Sequence, residues 1–135
     1  MKLEIKNVSK HFGGMQALNG VNITIDKPEI VGLIGPNGAG KTTLTNVIDG
    51  VHNPTRGEVW LNDERIDTFP PYQIARRGLG RTFQVTRAFR RMTVLENMMV
   101  PAMAINPTVS KKEVLEKSWD ILRFLTVEHL ANEYG

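Results

Sequence analysis

Ile30-Val31-Gly32-Leu33-Ile34-Gly35-Pro36-Asn37-Gly38-Ala39-Gly40-Lys41-Thr42-Thr43 joins an apolar run to a glycine-rich loop and a helix-forming segment. Residues 30–34 are apolar without alternation, the pattern expected of a strand covered on both faces in a parallel sheet. Downstream, Leu44, Val47 and Ile48 recur at helical spacing, and Gly50 stands where a helix C-terminal glycine belongs. Between these segments, Gly35 to Thr42 fits G-x-x-x-x-G-K-[ST] in the strand-loop-helix context that the pattern requires. The residue types suit a phosphate chain. Glycines let backbone N–H groups turn inward as an anion nest, and their missing side chains allow phosphate oxygens to approach. The helix N-terminus favours a nearby anion by ~0.3–2 kcal/mol. Lys41 adds a mobile ammonium for the outer phosphates, and the Thr42 hydroxyl is placed to ligate magnesium. The loop therefore points to a nucleoside triphosphate, ATP with Mg2+. A glycine-rich turn with a solvated lysine is the alternative, and the flanking strand and helix patterns weigh against it.

Working outward, Leu3, Ile5 and Val8 alternate with Lys2, Glu4 and Lys6, and Val21, Ile23 and Ile25 repeat the pattern of a half-buried strand. Gly13-Gly14 marks a turn between them, so the two strands are expected to be antiparallel and one-sided. Gly57-Glu58-Val59-Trp60-Leu61 reads as another short strand and residues 79–83 as a weaker one. Later, Thr93 with Glu96 and Ser110 with Glu113 are capping-box signals for two helices. In the second, Val114, Ser118, Ile121, Leu122 and Leu125 make a stripe opposite Lys112, Glu116, Lys117, Asp120 and Arg123. The order is strands first, one strand-loop-helix unit, then helices, with no internal repeat.

A chain of 135 residues is of single-domain size and buries a modest core. Cys is absent, which removes disulfides and thiolate metal sites. No run is apolar for long enough to cross a bilayer, and the first ten residues alternate in polarity instead of forming a secretory apolar region, so a cytoplasmic location is expected. His11, His52 and His129 share no spacing with carboxylates that would make a metal site or a triad. Although the formal charge is only +3, Arg76, Arg77, Arg81, Arg87, Arg90 and Arg91 crowd one short stretch. Such a cluster is a solvated face, a partner surface or a nucleic-acid patch, and no recognisable nucleic-acid module accompanies it.

Ile34-Gly35-Pro36-Asn37-Gly38-Ala39-Gly40-Lys41-Thr42-Thr43 resembles the Walker A segment of ABC-type ATPases. More narrowly, Gly80-Arg81-Thr82-Phe83-Gln84, followed by Arg87, Phe89 and Met92-Thr93-Val94-Leu95-Glu96-Asn97, is similar to the ATP-binding subunits of branched-chain amino-acid importers. The resemblance spans nearly the whole chain. It implies an α/β fold, the N-terminal portion of a P-loop ABC ATPase, with an antiparallel β subdomain and Walker A core over residues 1–84 and the start of a helical subdomain over 85–135. Phe12, which by its residue type either fills a core or stacks on a base, takes by resemblance the place of the adenine-stacking aromatic. Gln84, by default a solvated amide, takes that of the Q-loop glutamine, offering its carbonyl to magnesium. Nucleotide contacts are then expected at Phe12, Gly35, Pro36, Asn37, Gly38, Ala39, Gly40, Lys41, Thr42 and Thr43, and metal contacts at Thr42 and Gln84.

The partners implied are transmembrane permease subunits, met around residues 85–97, a second ATP-binding subunit and, indirectly, a solute-binding protein, with the chain peripheral on the inner face of the membrane. Phospholipid headgroups are a second reading of the arginines and nucleic acid a distant third. Members of this family continue with a Leu-Ser-Gly-Gly-Gln-type signature loop, a Walker B strand ending in Asp-Glu and a switch histidine, none of which is identified here. Pro28 stands where a glycine is usual, and Asp49 where a small hydroxyl residue is common. The expectation is an ABC importer ATPase seen in its N-terminal part, inactive and poorly stable alone. A stand-alone nucleotide-binding or dominant-negative protein without hydrolysis is the alternative. A P-loop kinase or GTPase is poorer, because no guanine-reading motif is found.

Overall fold

The computed structural model describes residues 1–135 except Gln84, Thr86 and Pro107. It divides into two compact units, Met1–Arg81 and Thr82–Gly135.

The first unit is built on an antiparallel sheet of four strands, β1 (Leu3–Phe12), β2 (Met15–Ile25), β3 (Arg56–Leu61) and β4 (Glu64–Arg65), in the order β2-β1-β3-β4. Ile5 of β1 lies opposite Ile23 of β2 and Val59 of β3, so three β-branched side chains meet across the sheet. Strict alternation from Leu3 and Ile5 would turn Val8 outward. A register shift between Ile5 and Val8 corrects this, with Asn7 at φ 50° and its N–H donated to Asn22 Oδ1 at 2.9 Å. Val8 is thereby buried with Ile5. Helix α1 (Lys41–Ile48) adds Leu44 and Val47 to the same core, which Leu18, Leu61, Ile66 and Ile74 complete. Ile74 comes from α2 (Pro71–Arg76), a short helix opened by Pro71 at its first position. Gly50 follows α1 at φ 77°, and a Cβ there would meet Phe69 O at 2.7 Å, so the helix stops at a site only glycine fits.

Two expected strands are not formed. Residues 30–34 pair with nothing among the described residues, and Ile30 and Ile34 are 103% and 94% exposed. A parallel strand is held by ladders on its flanks and cover on its faces, and the four strands present supply neither to this segment. Residues 79–83 form no strand either. Their anchor is ionic: Arg81 pairs with Asp49 just beyond α1 and donates to Asn46 Oδ1 at 2.7 Å. The carboxylate at position 49 is thus matched by Arg81.

The second unit contains α3 (Val94–Ile105), α4 (Lys111–Phe124) and a 3-10 turn (Glu128–Leu130). Thr93 and Glu96 form the expected capping box, with Glu96 N–H donated to Thr93 Oγ1 at 3.2 Å and Thr93 N–H to Glu96 Oε2 at 2.8 Å. The amides of Val94 and Leu95 donate to the carbonyls of Glu133 and Ala131, so residues after the 3-10 turn satisfy the start of α3. Ser110 caps α4 through Glu113 N–H at 3.1 Å. The α4 stripe is narrower than expected. Val114, Ser118 and Leu122 are buried, whereas Ile121 and Leu125 are 44% and 51% exposed. Residues spaced by four face α3, and nothing among the described residues covers the flank that carries the other two.

Candidate functional site

The loop before α1 is shaped by its glycines. Gly38 and Gly40 take φ 82° and 85°, a left-handed backbone that other residue types adopt at a cost. Gly40 is the residue preceding α1, and no side chain caps the helix there. No acidic residue lies in the first turn. The amides of the first helical residues have no intrahelical acceptor, so α1 begins with donors aimed at the loop and a partial positive charge. Leu44 N–H closes the first helical bond on Gly40 O at 2.8 Å.

Lys41 bends back across the loop. Its ammonium donates to Gly35 O at 2.6 Å and Pro36 O at 2.8 Å. Those carbonyls hold the three-donor ammonium beside the helix start, where phosphate oxygens are competing acceptors of higher charge.

Asn37, Gly38, Ala39, Gly40, Lys41, Thr42 and Thr43 line a cavity of about 460 Å³. Its other wall is Phe12, with Met15, Gln16 and Ala17, from the end of β1 and the start of β2. The fold therefore brings Phe12 to the loop across 25 positions of sequence. Gly35 and Pro36 are absent from the lining and act through their carbonyls. Gln84 lies outside the described residues. Met15, Gln16 and Ala17 were not picked out by the sequence, since only the closing of the β1–β2 hairpin over the loop gives them a place there.

A cavity with amides and a lysine at one end and an aromatic at the other suits a nucleotide, an anion joined to a flat base. The donor set fits magnesium in the same way: a hard cation keeps several waters and takes oxygen from phosphates and a hydroxyl such as that of Thr42. Among the described residues, no group of three or more His, Cys, Asp or Glu is placed to hold a metal ion. A larger cleft, about 670 Å³, lies elsewhere on this unit, bordered by Lys6, Arg56 and Arg65. Its best-placed cation is already spent, because Arg65 binds Asp67 at 3.0 Å and Glu58 at 2.9 Å. The smaller cavity, with its uncapped helix start, is the candidate site.

The arginine run is divided between the units. Arg77 binds Glu64 through Nε at 2.7 Å and a second nitrogen at 2.8 Å, lies 4.1 Å from the Phe69 ring centroid, and holds α2 to β4. With Arg81 engaged by Asp49, these two are fastenings of the fold and not a partner-facing patch. In the second unit, Arg87 and Arg90 line a cleft of about 630 Å³ with Val85, Ala88 and Gly135.

Sheet, glycine loop and α1 together define a P-loop nucleotide-binding unit. The match extends to a family: residues 18–134 fit the family described as ABC transporter, and the chain belongs to it. A probable branched-chain amino acid transport ATP-binding protein of Archaeoglobus fulgidus is 38% identical over 138 residues, covering 95% of this chain and 54% of that protein. Among solved structures, the ADP conformation of an ATP-binding cassette of an ABC transporter superposes with a TM-score of 0.80 at 34% identity, covering 99% of this chain and 57% of that one. A dimeric cassette bound to ADP and Pi superposes with a TM-score of 0.78 at 28% identity, covering 98% and 61%. The chain spans about half the length of the curated relatives it matches. Among the described residues no helix is long and apolar enough to cross a membrane.

Proposed function

We propose that this chain supplies the Mg-ATP-binding part of an ABC ATPase subunit that powers solute import, of branched-chain amino acids, through a membrane permease. The observation that carries the binding claim is the shared cavity, in which Phe12 faces the loop of residues 37–43. Phe12 stacks on the adenine, an interaction worth ~1–3 kcal/mol in other base-stacking sites. The amides at the start of α1 and the Lys41 ammonium hold the β- and γ-phosphates, and the Thr42 hydroxyl ligates magnesium, a role that the resemblance alone also gives to Gln84. In a hydrolysing cassette these groups neutralise charge on the transferring phosphoryl group, while a carboxylate orients water. The amino-acid class rests on the likeness to the Archaeoglobus fulgidus protein. A second ATP-binding subunit as partner is supported by the dimeric cassette of similar fold. The permease contact is assigned to residues 85–97, where the cleft beside Arg87 and Arg90 offers a cationic seat, and it holds the subunit on the cytoplasmic face of the membrane.

Lys41 gives the direct test. Lys41→Ala removes a charge-assisted contact worth ~1.5–3 kcal/mol, so Mg-ATP affinity measured by calorimetry is expected to fall more than tenfold. Unchanged affinity would refute the assignment of this loop to phosphate.

A further inference from the structure

Phe12 does not stand alone at the mouth of the cavity. The His52 ring lies 5.2 Å from it, centroid to centroid, at an interplanar angle of 75°. The Lys10 ammonium lies 5.0 Å from the same ring centroid. Both neighbours are tied to the segment that follows α1. His52 N–H donates to Asn46 O within α1 at 2.9 Å, and Lys10 Nζ donates to Asn53 O at 2.8 Å. Two further bonds lace β1 to that segment, His11 N–H to Thr55 Oγ1 at 3.0 Å and Thr55 N–H to Ser9 O at 2.8 Å.

We infer that His52 is a positioning residue for nucleotide recognition: its ring, carried on a backbone bonded to α1, sets the orientation of Phe12 as the base platform. The inference rests on Phe12 being that platform. The physical case is preorganisation. Phe12 is 39% exposed at the end of a hairpin, next to Gly13. An edge-on aromatic neighbour and a cation over the ring each favour one orientation. Because the neighbour hangs from the helix whose other end begins at the phosphate loop, the base platform and the phosphate cradle are set by one element. A side chain already held in place spares the base the cost of ordering it, which in other complexes corresponds to roughly a three- to tenfold difference in affinity. None of this bears on a ligand that lacks a base.

The test compares Mg-ATP with Mg-tripolyphosphate by calorimetry on the full chain and on Phe12→Ala, His52→Ala, His52→Tyr and the double variant. His52→Ala is expected to lose about three- to tenfold in ATP affinity and nothing for tripolyphosphate. His52→Tyr, which keeps an aromatic edge, is expected to recover most of the loss. In the double variant the His52 change should add nothing to Phe12→Ala, because the platform it orients has gone. If Phe12→Ala loses ATP selectively while His52→Ala does not, His52 has no positioning role. Equal losses for both ligands in His52→Ala, or no recovery in His52→Tyr, would assign it to the fold of α1 and overturn the inference. If Phe12→Ala itself shows no selective loss, the platform reading fails and takes the inference with it.

Discussion

Gly40 carries two demands at once. Its φ of 85° is left-handed, costing a residue with a Cβ ~1–2 kcal/mol, and that Cβ would lie 2.6 Å from Ala17 O and 2.9 Å from Leu18 Cδ2. Gly38, at φ 82°, has nothing within 4 Å of the same position. The motif fixes a glycine at position 40 and leaves position 38 open, and the fold draws the same distinction. Gly38→Ala is expected to cost only the backbone term. Gly40→Ala adds a collision with β2 backbone that moves the loop away from Phe12, so it should lower the melting temperature further and weaken Mg-ATP binding as well. Thermal melts and titrations of both variants check this, and equal effects would mean that Gly40 does not seat the loop on β2. Lys41 and the glycines were legible in the sequence because their chemistry is local, one pattern over eight positions. His52 was not, since its partner lies 40 positions away and its own neighbours carry no carboxylate or motif; only the lacing of β1 to the segment after α1 brings the rings together.

At the scale of elements, legibility followed the range of the interactions. The β1–β2 hairpin, α1 with its terminal glycine and the Thr93 capping box depend on neighbours within a few residues or across one turn, and each formed as read. The missed elements, β4 and α2, are held by the pair of Arg77 and Glu64, which joins residues 13 apart. Bidentate bonding from Arg77 holds the Glu64 carboxyl below the usual carboxylate range, and the same bonds raise the Arg77 guanidinium. A depressed carboxyl stabilises the folded chain above its unfolded value, about 4.3, and that contribution is lost as pH falls through the lower folded value. The difference in melting temperature between the chain and Glu64→Gln should therefore be present at neutral pH and close on acidification to about pH 4 and below. The pair is solvent-facing, so added salt should shrink the neutral-pH difference too. A difference that persists unchanged in acid would assign the effect to packing of α2 and not to the ion pair.

On the scale of the whole molecule, the least expected observation is the segment with the plainest sequence. Residues 30–34 have the composition of a core strand and lead directly into the phosphate loop, yet Ile30, Val31, Leu33 and Ile34 are exposed. Composition reports what a segment can bury, whereas a strand exists only where another strand accepts its hydrogen bonds. Each aliphatic side chain left in water forgoes ~1.5–3 kcal/mol, a large share of the ~5–15 kcal/mol that holds a domain. Unpaired N–H and C=O groups beside such side chains also template aggregation. The chain covers 54% of the Archaeoglobus fulgidus relative, so that relative has further polypeptide outside the stretch matched here. We therefore predict that residues 1–135 studied alone bind a hydrophobic dye, and that the amides of residues 30–34 exchange with solvent as fast as those of an unfolded peptide while Ile5, Val59 and Leu61 at the sheet centre stay protected. Adding the part of that relative which the chain does not cover should slow exchange at 30–34 selectively and reduce dye binding. Because Ile34 adjoins Gly35, the same addition should tighten Mg-ATP binding by fixing the first residue of the loop. Protection of amides 30–34 in residues 1–135 alone would mean that the segment is already paired, and that its exposure is not what limits the stability of the chain.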